Sequence, residues 1–397
     1  MPKVYMDHAA TTPLSGEVLR AMMPFFSKKF GNASSLHAFG REAGSALEAA
    51  RGQVAFALSC LKEEVVFTSG GTESDNLAIK GAAYANQSKG NHIITSCIEH
   101  PAVLSACKSL EKKGFSVTYL PVSSEGFVDP EDVRKAISQK TILITIMHAN
   151  NEIGTIQPIA QIGKIAQEKG ILFHTDAVQT AGKIKTDVNG LGVSMLSLSA
   201  HKIYGPKGVG ALFVRKGVRL EPLAHGGEHE GRLRSGTENV AGIVGLGCAI
   251  SLAQKEMEGE ALREQRLRDR MIDFVLSTIG ESRLNGGRQN RLPGNANFGF
   301  RHIEGEGLVL LLDRKGIAAS TGSACSSKKL EPSYVLTSLG LPPEEAHGSL
   351  RLTLGKGTTD RHVEYLMETL PKVVSRLRKL SPMRKGLEWK GKEGEHG

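Results

Sequence analysis

The stretches ILFHTDAVQT (171–180) and MLSLSAHKIYGPKG (195–208) each begin as a short β-rich run and end in chemically active side chains. Asp176 lies at the end of the first run, and Lys202 follows the second. Ligands of open α/β sheets bind outside the carboxyl ends of parallel strands, so we expect the acid and the amine to emerge at the same sheet edge. The two stretches therefore predict an α/β fold with a cleft at this edge.

The same alternation of short strands and longer helices extends outward from this pair, over residues 64–214. Several of the strand candidates are mostly apolar, which is typical of strands that helices cover on both faces. The pattern predicts a mostly parallel, seven-stranded sheet. The predicted strands are EVVFTS, NHIITS, FSVTYL, ILITIMH, ILFHTD, MLSLSA and GALFV.

Three helices are predicted between these strands from their starting residues. A helix over 72–87 is expected to begin with Thr72 as a side-chain cap. Helices over 101–113 and 158–169 each begin with a proline, a residue that is favoured in the first helical turn.

The sequence texture changes after Thr237, where longer polar helices and isolated strands predict a second, smaller α+β domain. We expect residues 14–256 to form the large domain, and residues 1–13 and 257–397 to form the small domain. The elements predicted in this region are helices over 243–275, 306–315, 332–339 and 359–380, and the strand runs NANFGF, GIAAS and SLRLTL.

Composition restricts the class of protein. Lysine and arginine number 50 and aspartate and glutamate 41, a net charge of +9, which a large solvated surface accommodates without a nucleic-acid partner. The five cysteines cannot all pair within one chain and include no CxxC, which favours a reducing compartment. We find no signal peptide and no long uninterrupted apolar run, so a cytoplasmic protein without a membrane partner is expected.

The residues at the sheet edge indicate the chemistry. A lysine that forms a Schiff base with an aldehyde, together with a carboxylate that keeps a pyridine nitrogen protonated, is what pyridoxal phosphate (PLP) requires. A surface lysine and an ion-paired aspartate would be the alternative interpretation, and the flanking residues count against it. SGGTESDN (69–76) presents free N–H groups at a helix start to an anion, Ser199 and His201 can complete a phosphate shell, and the flat ring of His100 can stack on a cofactor.

At this point the chain resembles the cysteine desulfurases of the NifS/IscS type, members of the aminotransferase class V group of PLP enzymes. Its matching stretches occur in the expected order from about residue 5 to about residue 355. They are YMDHAATTP, GNASSLHAFG, FTSGGTESDNLAIKG, HANNEIGTIQPI, FHTDAVQTAGK, SAHKIYGPKGVGAL, HGGEHEGRLRSGTEN, TGSACSS, LEPSYVL and SLRLTLG.

The resemblance implies the PLP transferase fold of type I and conversion of L-cysteine to L-alanine by a homodimer. It also implies a role for individual residues. Lys202 would hold PLP, Asp176 would pair with the ring nitrogen, and Gln179 would contact the ring hydroxyl. His100 would stack on the ring and serve as a proton donor or acceptor, and Asn151 would lie nearby. The phosphate would be bound by Gly71, Thr72, Ser199 and His201, with Thr237 of the partner subunit, and the substrate carboxylate by Arg351 with Asn32.

The loop TGSACSSKK (321–329) distinguishes a desulfurase from an aminotransferase. Cys325 lies among residues too small to pack, so we expect the segment 321–331 to be mobile and exposed. The resemblance implies that Cys325 receives the substrate sulfur as a persulfide and hands it to an acceptor protein such as an iron–sulfur scaffold. It also implies a transient role for Cys325 as an iron–sulfur ligand shared with that scaffold.

Three alternatives remain open from the sequence. The chain could be another fold-type I PLP enzyme, such as an aminotransferase or a kynureninase-like lyase, for which Lys202 and Asp176 would be equally necessary. It could be a catalytically quiet sulfur-carrier subunit. The sulfur could go to tRNA thiolation rather than to iron–sulfur cluster assembly, because the basic tail after Ser381 does not match the tail associated with scaffold docking in the iron–sulfur branch.

Overall fold

The structure is a computed structural model that describes residues 3–322 and 332–381. The strands within these ranges are numbered in chain order. They are β1 (Val4–Tyr5), β2 (Val65–Thr68), β3 (His92–Ser96), β4 (Ser116–Leu120), β5 (Thr141–Thr145), β6 (Leu172–Asp176), β7 (Met195–Ser199), β8 (Gly210–Val214), β9 (Ser282–Leu284), β10 (Asn295–Phe300), β11 (Ile317–Ala318) and β12 (Ser349–Thr353).

The α-helices of the same ranges are numbered in the same way. They are α1 (Gly16–Met22), α2 (Pro24–Ser27), α3 (Ala38–Leu58), α4 (Gly71–Ala85), α5 (Pro101–Glu111), α6 (Pro130–Ala136), α7 (Ile159–Glu168), α8 (Val188–Leu191), α9 (Val240–Thr278), α10 (Gly305–Asp313), α11 (Tyr334–Ser338), α12 (Pro343–His347) and α13 (Asp360–Leu380).

The central sheet has seven strands in the order β2-β8-β7-β6-β5-β3-β4. Strand β8 runs antiparallel to both of its neighbours, and the remaining pairings are parallel. Every residue of β3, β5 and β7 is buried, as expected for strands covered on both faces. The prediction of an α/β fold with a mostly parallel seven-stranded sheet is therefore confirmed.

The turn between β2 and α4 differs from the sequence prediction. Helix α4 begins at Gly71, and its N-cap residue, Gly70, offers no side chain, so the predicted Thr72 cap is wrong. Gly70 adopts φ +150°, a backbone conformation that residues with a Cβ rarely take. A Cβ on Gly71 would approach Val178 Cγ2 to 2.7 Å. Glycine is needed at both positions because the backbone itself forms this turn against the β6 loop.

A second hydrophobic core lies outside the seven-stranded sheet. It is built from the antiparallel sheet β12-β10-β9, the parallel pair β1-β11, and helices α10 and α13. Helix α9 joins the two cores without a break: Leu246 and Ile250 lie in the first, and Leu267 and Met271 lie in the second. The predicted domain boundary after residue 256 falls inside this helix and stays a prediction.

Part of helix α9 is long and apolar enough to cross a membrane, judged by length and composition alone. Half of that apolar stretch is buried inside the protein. Its buried residues include Ile243 and Ala249, which belong to the main core. Burial of this kind is expected for the core helix of a globular domain, and such helices can be equally long and apolar.

Candidate active site

Asp176 and Lys202 stand at the carboxyl ends of neighbouring strands. β6 and β7 pair in parallel, with Asp176 opposite Ser197. Lys202 ends the short 3-10 turn Ala200–Lys202 that follows β7. Each group acts on the pKa of the other: Asp176 raises that of Lys202, and Lys202 lowers that of Asp176. The structure thus brings the acid and the amine together at one sheet edge.

Lys202 carries an amine that is substantially neutral near pH 7. Its Nζ donates to the main-chain oxygens of Ala9 and Ala10, the latter at 2.8 Å. Burial, reinforced by the cations Lys183 and Arg351, lowers the pKa of Lys202 to about 7. A desolvated, partly neutral lysine is the form that attacks aldehydes and accepts protons.

Asp176 is a buried carboxyl group with one main-chain donor. Its Oδ1 accepts a hydrogen bond of 2.9 Å from the Val178 N–H. Burial raises the pKa of Asp176, whereas His100 and Lys202 lower it. A protonated pyridine nitrogen placed beside this carboxylate would supply the charge that it lacks.

His100 has a defined tautomer because it caps helix α5. Its Nδ1 accepts a hydrogen bond of 3.2 Å from the Ala102 N–H, so in the neutral ring Nε2 carries the proton. Burial lowers the pKa of His100, which favours this neutral form, and Asp176 opposes the shift. The ring therefore faces the site as a neutral N–H donor.

The start of α4 forms an anion cradle. The helix has no side-chain cap, so its first N–H groups and its dipole are available to a phosphate. Ser199 is buried beside this turn, 3.7 Å from the position of a Cβ on Gly70. Burial and nearby lysines lower the pKa of His201 to about 4, and its Nδ1 lies 3.1 Å from Thr11 Oγ1.

The buried side-chain amide of Gln179 indicates whether PLP fits this cleft, because one of its two polar atoms has a partner and the other does not. Its Nε2 donates 3.0 Å to the Ala9 oxygen, while its Oε1 is buried and has no partner among the described residues. A buried acceptor without a donor costs free energy. The hydroxyl of the PLP ring is a donor of the kind this oxygen lacks, so the residues present fit the cofactor.

Arg351 lies on β12 of the three-stranded antiparallel sheet, and its side chain is only 3% exposed. Its Nη2 is 2.8 Å from Asp7 Oδ1, and its Nη1 donates 3.1 Å to the Asn151 main-chain oxygen. Its Nε is buried without a partner within the described ranges. A buried guanidinium with a free donor is suited to a carboxylate ligand.

Two predicted residues are not brought to this cluster by any described contact. Asn32 is exposed, and its Oδ1 accepts from the Ser34 N–H at 2.9 Å. Thr237 is exposed shortly before α9. Cys325 and the rest of its loop, 323–331, lie outside the described residues, as does the tail from 382 onward.

Three charged residues at the site were not identified from the sequence. Asp7 pairs with Arg351, Lys183 lowers the pKa of Lys202, and Asp75 lies close to Asp176 and His100. Asp7 and Lys183 stand in the stretches YMDHAATTP and FHTDAVQTAGK, so their position in these stretches was an available signal. Asp75 follows the phosphate cradle on the inward face of α4, where its burial could have been inferred from the helical period.

The chain is similar to known proteins over almost its whole length. The profile of the family "Aminotransferase class-V" matches residues 4–366. "Cysteine desulfurase IscS" of Dictyoglomus turgidum is 56% identical over 98% of each chain, and that of Methanosarcina thermophila is 54% identical over 96% of this chain and 94% of the relative.

The chain is also similar to solved structures. A "NIFS-LIKE PROTEIN" superposes with a TM-score of 0.89 at 39% identity, over 95% of this chain and 100% of that one. "SspA in complex with cysteine" superposes with a TM-score of 0.79 at 40% identity, over 89% of this chain and 99% of that one. The chain belongs to the class-V aminotransferase family and, within it, to the PLP-dependent cysteine desulfurases.

Proposed function

We propose that this cysteine desulfurase transfers the sulfur of L-cysteine to Cys325, releases L-alanine, and passes the sulfur to an acceptor protein for iron–sulfur cluster assembly. The observation that carries the proposal is the convergence of the near-neutral Lys202, the buried Asp176 and the buried Arg351 on one cleft. An amine, an acid and a carboxylate anchor are what the removal of sulfur from an amino acid requires.

PLP held by the cradle and by Lys202 supplies an electron sink for the substrate's α-carbon. Lys202 accepts the proton of that carbon, because its pKa of about 7 leaves a neutral amine at working pH. Asp176 holds a negative charge at the bottom of the cleft, where His100 and Lys202 favour its ionised form. His100 carries its mobile proton on Nε2 and can give it to a departing or arriving group.

Arg351 orients the substrate through its carboxylate. The guanidinium keeps Nε free while Asp7 and the Asn151 oxygen hold its other nitrogens. A carboxylate that binds at Nε and Nη2 would be held by two parallel hydrogen bonds. This geometry fixes the α-carbon relative to Lys202 and points the rest of the substrate away from the anchor.

Cys325 acts as the nucleophile toward the substrate sulfur, in the form of its thiolate. An S–S bond forms as the C–S bond of cysteine breaks, and the electron pair stays with the carbon skeleton. That carbon takes up a proton and leaves as part of alanine. The persulfide sulfur then passes to an acceptor thiol, and the Cys325 thiol is restored.

The working unit we propose is a cytoplasmic homodimer. Thr237 is exposed on its own chain, which is consistent with a role in the phosphate site of the partner subunit. Transient sharing of an iron–sulfur ligand by Cys325 belongs to the same proposal and depends on the acceptor.

The proposal is tested by incubating the PLP-loaded protein with L-cysteine and a thiol reductant. We expect alanine and sulfide in equal amounts. An aminotransferase would instead convert cysteine to a keto acid and leave the C–S bond intact. Keto-acid formation without sulfide would contradict the proposal.

Asp176→Asn is expected to keep the fold and bound PLP but to lower alanine production about 100-fold, a loss typical of a removed electrostatic partner. An amide cannot hold the proton of the ring nitrogen by charge. Steady-state kinetics should show the loss mainly in kcat. A variant with near-normal kcat would show that the carboxylate is only structural.

Arg351→Lys is expected to raise the KM for L-cysteine about 10- to 100-fold, because a lysine cannot make the bidentate contact. The matched control is Arg301→Lys, an exposed arginine that pairs with Glu345. Equal KM values for the parent and Arg351→Lys would remove Arg351 from the substrate site.

A further inference from the structure

Asp75 is a buried acid that the proposed chemistry does not use. It lies on the inward face of α4 and is 1% exposed. Its carboxyl group, the carboxyl group of Asp176 and the ring of His100 approach within 4.8 Å of one another. The cofactor ring accounts for Asp176 and His100 but leaves Asp75 without a role.

Among the described residues, the groups that act on Asp75 include no cation that would balance an ionised carboxylate. Its one ion-pairing neighbour among the described residues is His174 on β6, whose Nε2 is 3.7 Å from Asp75 Oδ1. His174 is itself fully buried, and burial lowers its pKa to about 3, so the ring is neutral. Thr145 and Ser197 bind its two nitrogens at 2.8 and 2.9 Å.

The other acids that face Asp75, Asp176 and Glu99, both disfavour its ionised form. Burial and then the negative charge of Asp176 raise the pKa of Asp75, a hydrogen bond from Ser197 opposes this, and Glu99 raises it further. Glu99 is fully buried, and burial raises its own pKa to about 8. Asp75 Oδ1 has no hydrogen-bond partner within the described part of the chain.

The two aspartates therefore cannot both be ionised, because like charges at this distance in a buried site exclude each other. Asp176 has the partners that favour its ionised form: His100 and Lys202 lower its pKa, and the Val178 N–H donates to it. Neither His100 nor Lys202 is among the groups that lower the pKa of Asp75. One proton on the pair is thus best held by Asp75.

We propose that Asp75 is a protonated carboxylic acid and a positioning residue, whose neutrality lets Asp176 carry the negative charge that faces the cofactor ring. The inference rests on the proposed function only for the identity of that ring. Two neighbouring aspartates then have different charges because Asp176 has the Val178 N–H, His100 and Lys202 to favour its ionised form, whereas Asp75 has only the Ser197 hydroxyl among the described residues.

The first test compares the thermal stability of PLP-loaded Asp75→Asn with that of the parent. A folded-state pKa above the unfolded value means that stability falls as the pH rises above about 4, where the unfolded acid ionises. Asparagine has no such cost. The variant should therefore melt above the parent at about pH 8, and the difference should shrink toward about pH 5. Asp132→Asn, at a partly exposed acid of α6, is the control and should show no such pH dependence.

The second test is the pH titration of the absorbance of the bound cofactor, which reports which of the two aspartates carries the negative charge. Asp75→Asn should leave the midpoint unchanged, because it removes no charge. Asp176→Asn should lower it by about one pH unit or more, because it removes the negative charge that favours the protonated chromophore. The pair of variants differs only in which of two neighbouring carboxyl groups is neutralised.

A midpoint lowered equally by both variants, or an Asp75→Asn protein that melts below the parent at every pH, would overturn the inference. If Asp75→Asn yields no folded protein, Asp75→Ser keeps a neutral hydroxyl donor at the position and is read in the same two ways. Failure of the sulfur chemistry would appear separately, as an absence of alanine and sulfide from the parent enzyme.

Discussion

Lys202→Ala is expected to lower alanine production by at least about 10²–10⁴-fold, the range that a general base alone contributes. The loss should exceed that range, because Lys202 is also the amine proposed to hold PLP. Its Nζ is fixed by the Ala9 and Ala10 oxygens, and its pKa of about 7 sets it apart from a solvated lysine. The measurement is alanine release from L-cysteine at saturating substrate.

Lys207→Ala is the matched control, because Lys207 is exposed in the same loop. It should retain the parent rate. Borohydride reduction of the PLP-loaded parent followed by peptide mapping should label Lys202. A label on Lys207, or turnover by Lys202→Ala close to that of the parent, would overturn the assignment.

The same lysine predicts the pH dependence of the parent. Its amine must be neutral to accept a proton, so kcat should rise with pH through about 7 and level off above it. A kcat that falls over this range would contradict the role of Lys202 as a base.

Cys325→Ser is expected to lower alanine and sulfide production at least about 1,000-fold while cysteine still binds, because a hydroxyl is a far weaker nucleophile toward sulfur than a thiolate. Lys202, Asp176 and Arg351 remain in this variant. Binding of cysteine, followed as the change in cofactor absorbance when cysteine is added, should therefore persist.

Cys60→Ser provides the control for this substitution. Burial raises the pKa of the Cys60 thiol to about 12, so it is not a thiolate at neutral pH. The Cys60→Ser protein should release alanine at the parent rate. Sustained alanine release by Cys325→Ser would contradict the assignment of Cys325.

The strands of the main sheet could be predicted because their local pattern and their final environment agree. Strands buried on both faces are mostly apolar, and β3, β5 and β7 are buried at every residue. The order of Asp176 and Lys202 after successive runs was enough to place them together, since adjacent parallel strands end at one edge.

Other features depended on contacts that the local sequence does not encode. The Thr72 cap was wrong because Gly70 and Gly71 turn the chain tightly against Val178, which moves the helix start back by one residue. The pairing of Asp7 with Arg351 joins residues 344 positions apart. The burial of Asp75 against β6 likewise depends on how α4 lies over the sheet.

Isotope mapping shows whether sulfur from cysteine moves onto Cys325. The parent protein is mixed with L-cysteine carrying a sulfur isotope, without reductant, then alkylated, digested and analysed by mass spectrometry. We expect one labelled sulfur on the peptide that contains Cys325, in an amount equal to the first turnover of alanine. Alanine formed with no labelled sulfur on Cys325, or with the label on Cys60, Cys97, Cys107 or Cys248, would contradict it.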